Sequence, residues 1–233
     1  MANLKTYLSA FFSILFPESC LSCNGVIEQG ETDICSVCRF NFPRTDSHLD
    51  DKNIVAQKFW GRVKLKYAIS YLFFKKESNV QNLLHELKYN KQPQIGEILG
   101  NWYAQELLDN NFYKHFDIII PVPMHPKKQK QRGYNQSACF GQGLSEVWQI
   151  PQLENGIKKV LNTISQTKKS REERYKNMKL GFEISDLEAV KGKNILLVDD
   201  VITTGATLEA CATLLLENGA KTVSIATIAV AQS

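Results

Sequence analysis

Two adjacent carboxylates, Asp199 and Asp200, close a short apolar run and stand just before a turn of small and hydroxyl residues, Thr203-Thr204-Gly205-Ala206-Thr207. The run Ile195-Leu196-Leu197-Val198 fits a strand buried on both faces, and the apolar spacing over Leu208 to Glu217 fits a helix that stops at Gly219. In a strand–turn–helix unit of this kind, small side chains let consecutive backbone N–H groups close around a phosphate, and the helix directs its positive end there. The threonine hydroxyls add donors, and Gly205 allows a positive φ or a close approach. Two acids side by side at a strand end repel each other, so something must compensate them. The hydroxyls of a ribose diol are suitable donors, and a hydrated Mg2+ ion can be held nearby. The same residues also suit a general acid/base dyad, a solvated strand end, or an ordinary strand–helix connection. The turn is too poor in glycine for a dinucleotide fingerprint, and the chain has no GxxxxGK[ST].

A second unit supplies positive charge. Asp117-Ile118-Ile119-Ile120-Pro121-Val122-Pro123 reads as a short strand running into a proline-bounded loop that carries His125, Lys127, Lys128, Lys130 and Arg132. A pyrophosphate needs several cations, and lysines or arginines on a flexible loop can close over it. Lys127, Lys128 and Arg132 are the candidates; His125 fits a structural role as well as a catalytic one. After Gly133 a helix is expected from Ser137 to Trp148. A further basic cluster runs through Lys168, Lys169, Arg171, Arg174 and Lys176.

Four cysteines form a separate constellation: Cys20-x-x-Cys23, eleven intervening residues, then Cys35-x-x-Cys38. Each close pair can present two thiolates from one tight turn, and a hairpin between the pairs can complete a tetrahedron for zinc. Two disulfides, a redox pair or an iron–sulfur site are the other readings of this spacing. Cys139 and Cys211 sit in apolar helical settings and read as small buried hydrophobes.

The elements that must position these groups are legible in outline. A chain of 233 residues, 43% hydrophobic, can bury a substantial core, and its net charge of +4 is too mild to argue for nucleic acid. Val63 to Tyr67 alternates like a strand, whereas Ala68 to Phe74 suits strand or helix. Helices are expected over Val80 to Lys88 and Ile95 to Leu108, broken at Pro93, and a last strand over Thr222 to Ala229. The expected fold is α/β: a mostly parallel sheet flanked by helices, with a small N-terminal four-cysteine module. The division is 1–45 for an N-terminal helix and the module, and 46–233 for the sheet domain. Leu4, Leu8, Phe11 and Leu15 recur at helical spacing, but the apolar stretch is too short to span a bilayer and lacks a signal-peptide pattern. It reads as a helix packed on the protein, or as one that lies on a membrane surface or meets a partner; no transmembrane segment is expected, and the cytoplasm is the expected location.

Taken together, Cys20/Cys23/Cys35/Cys38, Leu87-Lys88-Tyr89, Val122-Pro123-Met124-His125 running to Arg132-Gly133-Tyr134-Asn135-Gln136, and Ile195 to Thr207 resemble the ComF family of type I phosphoribosyltransferase-like competence proteins. Gln166-Thr167 with Arg174, Asn177 and Phe182 is a weaker element of the same likeness. The resemblance implies that Asp199 and Asp200 hold ribose hydroxyls, that Thr203, Thr204, Gly205, Ala206 and Thr207 wrap a 5′-phosphate, and that the loop after Pro123 faces pyrophosphate. Lys128 and Arg132 would join the carboxylates in any transfer chemistry, and the four cysteines would bind Zn2+. It further implies a phosphoribosyl pyrophosphate or nucleotide ligand accompanied by Mg2+, and a role in natural competence and DNA uptake. Single-stranded DNA and cytoplasmic competence or recombination proteins are the implied partners. The competing reading is a non-enzymatic protein that binds single-stranded DNA or acts as a scaffold, with Tyr134, Trp148 and Tyr175 available to stack bases. Where an arginine is usual a few residues before the Gln-Thr pair, this chain has Leu161-Asn162-Thr163. Lys127-Lys128 also stand where one arginine is common, which keeps the charge but loses the bidentate fork.

Overall fold

The apolar runs of the sequence pair into one parallel sheet in a computed structural model, which describes residues 18–159 and 181–232. Its strands are β1 (Ala68–Phe74), β2 (Ile118–Pro121), β5 (Asn194–Ile202) and β6 (Thr222–Ala231), in the spatial order β1-β6-β5-β2. Every neighbouring pair is parallel, with Ile119 opposite Leu196, Leu197 opposite Ile225, and Ile69 opposite Ala226. Both faces of such a sheet are covered, so these strands read as continuous apolar runs rather than alternating ones. This settles Ala68 to Phe74 as strand. It also corrects Val63 to Tyr67: despite its alternation this segment is not a strand, and it reaches the sheet only as it enters β1, where Lys66 N–H donates to the Val223 carbonyl. The outer edge of β1 is covered by an antiparallel bridge from Arg44 to Leu72, and that of β2 by a parallel bridge between Ile119 and Gln152. Neither edge is left as a template for further pairing.

Five helices frame the sheet among the described residues: α1 (Asn79–Tyr89), α2 (Gln94–Glu106), α3 (Pro126–Arg132), α4 (Gln136–Trp148) and α5 (Ala206–Glu217). Helices α1, α2 and α4 bury Leu83, Leu99, Phe140 and Leu144 with Leu196 and Val198 on one face. On the opposite face, α5 buries Leu208, Cys211 and Leu215 with Ile195 and Leu197. A two-stranded antiparallel ribbon, β3 (Ile157–Lys159) with β4 (Phe182–Ile184), joins this second face. Helices α2 and α4 approach so closely that a Cβ at Gly100 would lie 2.2 Å from the Phe140 carbonyl oxygen, and one at Gly143 would lie 2.1 Å from that of Glu97.

The cysteine segment packs onto the first face, where Cys20, Ile34, Cys38 and Phe42 share the apolar cluster of α1 and α2. Asn82 Nδ2 donates to the Ser22 carbonyl, Gln94 Nε2 donates to Asp33, and Arg39 lies 4.5 Å from the Trp102 ring centre. The expected amphipathic helix at Leu4, Leu8, Phe11 and Leu15 lies outside the described residues. So do Gln166, Thr167, Arg174, Tyr175, Asn177 and the basic cluster from Lys168 to Lys176.

Candidate functional site

Adjacent strands β2 and β5 send their chains to opposite faces of the sheet, β2 toward α4 and β5 into α5. A crevice opens where neighbouring strands diverge in this way, at the carboxyl edge of the sheet. Strand β2 ends at Pro121, opposite Val198, so β5 carries Asp199 and Asp200 past the end of its neighbour and into that crevice. Asp199 Oδ1 accepts from the Asp200 N–H at 2.9 Å and from Ser137 Oγ, in the first turn of α4, at 2.8 Å. Protein atoms ring the Asp199 carboxyl while part of the side chain still meets solvent. Burial first, and the Asp200 charge second, push it up to about 7, against the hydrogen bonds from Ser137 and Asp200 and the charge of Lys88. The repulsion expected from the sequence is therefore present, and its compensation is now identified.

Much of that compensation is Lys88, in the last turn of α1. Its Nζ lies 2.8 Å from Asp200 Oδ2, and the two side chains are only 25% and 19% exposed. The sequence reading gave Lys88 no role beyond its place in Leu87-Lys88-Tyr89; nothing in a helical lysine's spacing tells that it faces a carboxylate from a strand more than a hundred residues away. The neighbouring loop is tied to the same helix end, since Tyr134 Oη donates to the Leu87 carbonyl at 2.6 Å and Arg132 lies 5.4 Å from the Tyr89 ring centre.

After β5, Thr203, Thr204, Ala206 and Thr207 are exposed around a shallow depression of about 50 Å³, which Asp199 also lines. Gly205 is the N-cap of α5 at φ +77°, and a Cβ there would meet Phe59 at 2.9 Å, so both the backbone and the space require glycine. The 12-residue helix α5 directs its free N–H groups toward this turn. Arg62 supports it from below by donating to the Thr204 carbonyl at 2.9 Å and pairing with Glu209.

The basic segment is not the flexible loop expected from the sequence. It forms helix α3, started by Pro126 in its first turn and capped by His125, whose Nδ1 accepts from the Lys127 N–H at 3.2 Å. His125 is thus a capping residue. Lys127, Lys128 and Lys130 stand exposed on α3 and bond to neither carboxylate. Arg132 instead donates to Gln136 Oε1 at 2.6 Å. The structure thus joins Asp199, Asp200, Ser137 and Lys88 directly, places the 203–207 turn beside them, and leaves Lys127 and Lys128 apart. Trp148 is buried and donates to the Ala104 carbonyl, so it is not free to stack on a base, whereas Tyr134 is half-buried with its hydroxyl bonded to α1.

The four sulfurs of Cys20, Cys23, Cys35 and Cys38 all lie within 4.8 Å of one another. Thiolates about 2.3 Å from a central ion stand about 3.8 Å apart in a tetrahedron, and Cys23 Sγ lies 3.9 Å from Cys35 Sγ. The first pair sits on a turn closed by the Ser19–Val26 bridge, while Cys35 caps the helical turn Ser36–Asn41. Backbone N–H groups of Ser22 and Cys35 point at Cys20 Sγ, and that of Cys38 points at Cys35 Sγ. Burial works against ionisation of Cys20, yet the amides of Cys35, Cys23 and Ser22 outweigh it and take the thiol down to about 7. This donor set could hold a metal ion. Cys139 and Cys211 are buried, as expected from their apolar settings.

Residues 148–233 match the phosphoribosyl transferase domain family. That span takes in Asp199 to Thr207 but not Cys20, Cys23, Cys35, Cys38, Lys127, Lys128 or Arg132. The chain is 29% identical to the DNA utilization protein YhgH of Shigella flexneri over 225 residues, 90% of this chain and 95% of that protein. It is 37% identical over 110 residues to competence protein F of Haemophilus influenzae, 47% of this chain and 48% of that one. It is 33% identical over 120 residues to competence protein ComFC of Bacillus subtilis, 52% of this chain and 46% of that one. No described helix is long and apolar enough to cross a membrane.

Proposed function

We propose that the chain is a member of the ComF family of phosphoribosyltransferase-like proteins and that its crevice binds phosphoribosyl pyrophosphate or a related nucleotide in the service of natural competence and DNA uptake in the cytoplasm. The observation that carries this reading is the delivery of Asp199 and Asp200 into the crevice directly ahead of a glycine-capped helix N-terminus. The carboxylates accept from the ribose diol, and the 203–207 turn donates to the 5′-phosphate. The ligand's diol would donate hydrogen bonds to Asp200, whose charge Lys88 already offsets. Mg2+ when bound supplies positive charge to the pyrophosphate oxygens. Lys127, Lys128 and Arg132 lie on the segment that follows β2 and face the pyrophosphate only if α3 or their side chains shift toward the crevice. The four cysteines hold one Zn2+, for which their mutual spacing and N–H···S contacts are suited, and the module braces α1 and α2.

Calorimetric titration with phosphoribosyl pyrophosphate tests this: saturable, Mg2+-dependent binding that is lost in Asp200→Asn supports the reading, and absence of binding to the zinc-loaded protein refutes it. Pyrophosphate release across a panel of nucleobases then separates transfer from binding alone. The exposed row Lys127, Lys128 and Lys130 favours a second reading, contact with the phosphates of single-stranded DNA. Steeply salt-dependent strand binding that survives Asp199→Asn and Asp200→Asn but falls with loss of these lysines would establish it in place of the first.

A further inference from the structure

A separate cavity lies away from the crevice, on the other side of the Lys58–Val63 segment. Its volume is about 290 Å³, at the lower end of the range for small-molecule sites. None of its lining residues belongs to 121–136 or 199–207; Lys64 to Ile69, at the start of β1, and Phe112 place it toward the amino ends of the strands. Its apolar lining combines the aliphatic Val63, Leu65 and Ile69 with four aromatic residues, Phe59, Trp60, Tyr67 and Phe112. Trp60 is 59% exposed, an unusual position for a residue with no role in packing. Aromatic walls of this sort accept a flat ring by stacking.

The polar lining is equally specific. His48 lines the cavity, and its Nδ1, closed off from solvent, has no hydrogen-bond partner among the described residues, a costly state that a turn of the ring toward a ligand edge would relieve. Lys64 stands exposed with no ion-pair or hydrogen-bond partner among the described residues, while Lys66 Nζ lies 3.3 Å from His115 Nδ1. Two cations suit an anion at the mouth, and the Asp51 carboxylate is an acceptor for sugar hydroxyls or an exocyclic amine. Aromatic faces, a ring-edge partner, a hydroxyl acceptor and an anion contact together describe a nucleoside monophosphate.

One segment links this cavity to the 203–207 turn. Phe59 lines the cavity and would touch any Cβ at Gly205, while Arg62, in the same segment, donates to the Thr204 carbonyl and pairs with Glu209 of α5. We propose that the cavity is a second, effector site for a nucleoside monophosphate, and that its occupancy is transmitted through Phe59 and Arg62 to the 203–207 turn. The coupling rests on the phosphate-binding role proposed above for that turn; the binding itself does not.

The test titrates the full-length, zinc-loaded protein with AMP, CMP, GMP and UMP, and with inorganic phosphate alone, following tryptophan fluorescence and heat. Saturable binding of at least one nucleotide is expected, unchanged in Asp200→Asn and weakened at least tenfold in Trp60→Ala and in Lys64→Ala, both exposed positions that leave the fold intact. Binding that is lost in Asp200→Asn but survives Trp60→Ala puts the nucleotide in the crevice and overturns the proposal. So does failure of all four nucleotides, or binding no tighter than that of inorganic phosphate. For the coupling, a saturating nucleotide should change the affinity for phosphoribosyl pyrophosphate at least threefold in the wild type and not in Arg62→Ala. An unchanged affinity in the wild type refutes the coupling. If phosphoribosyl pyrophosphate fails to bind while the nucleotide does, the crevice reading falls and the effector site stands.

Discussion

Replacing Asp199 by Asn should stabilise the unliganded protein at neutral and alkaline pH while removing its capacity to hold a diol. The carboxyl is pushed up to about 7 by burial and by Asp200, against about 3.9 in an unfolded chain. A raised folded-state value means that the native protein keeps a proton the unfolded chain has lost. Stability from this group is therefore complete below about pH 4 and declines until pH has passed through 7. A shift of about three units corresponds to about 4 kcal/mol over that window, and partial solvent access and coupling to Asp200 bring the expected effect to about 2 kcal/mol. Asn reproduces the neutral acid, since its Oδ1 can still accept from Ser137 Oγ and from the Asp200 N–H. Urea unfolding of both proteins at pH 4.5 and pH 8.5 reads the difference, because groups not coupled to Asp199 cancel between them. The expected gain for Asp199→Asn is small at pH 4.5 and about 2 kcal/mol larger at pH 8.5. A gain that does not change with pH, or a loss at pH 8.5, would refute the account of a repelled, desolvated carboxylate.

Three further outcomes follow from the same geometry. Lys88→Met leaves Asp200 without its cation and should cost about 1–3 kcal/mol at pH 8, less at pH 5 where Asp199 carries a proton, as read from unfolding midpoints at the two pH values. Gly205→Ala must hold φ near +77° and displace Phe59, so a loss of about 1–3 kcal/mol in urea unfolding is expected, together with weaker binding of phosphoribosyl pyrophosphate. Metal analysis should return about one zinc per chain, and chelation should lower the melting temperature by roughly 5–15 °C, whereas Cys139→Ser should leave the zinc content unchanged.

Much of the sheet was legible from local pattern. Ile195 to Val198 and Ile118 to Pro121 are apolar on both faces because both faces are covered, and their lengths are those of strands. Helices were expected within a residue or so of those observed from Asn79 and from Gln136, which the structure caps with Ser78 and Asn135. Local pattern failed where a distant partner overruled it. Val63 to Tyr67 alternates but runs beside a cavity instead of pairing along its length. The lysine-rich segment after Pro123 looked like a loop because charge and proline mask a helix that Pro126 starts and His125 caps. The ribbon of β3 and β4 joins three-residue strands far apart in the chain, too short for a two-residue period to register.

At the site, the residue types alone established the chemistry on offer: paired acids before a small, hydroxyl-rich turn, and four thiols at metal-binding spacing. That information is local, because a strand–turn–helix unit and a Cys-x-x-Cys turn each bring their own groups together within a few residues. Only the tertiary structure decided which neighbours those groups meet. It placed Lys88 on Asp200, Ser137 on Asp199 and Phe59 under Gly205, and it left Lys127 and Lys128 apart from the carboxylates. Those contacts depend on which strand ends beside which and on the face to which each helix returns, and no spacing along the chain encodes a distance across the sheet.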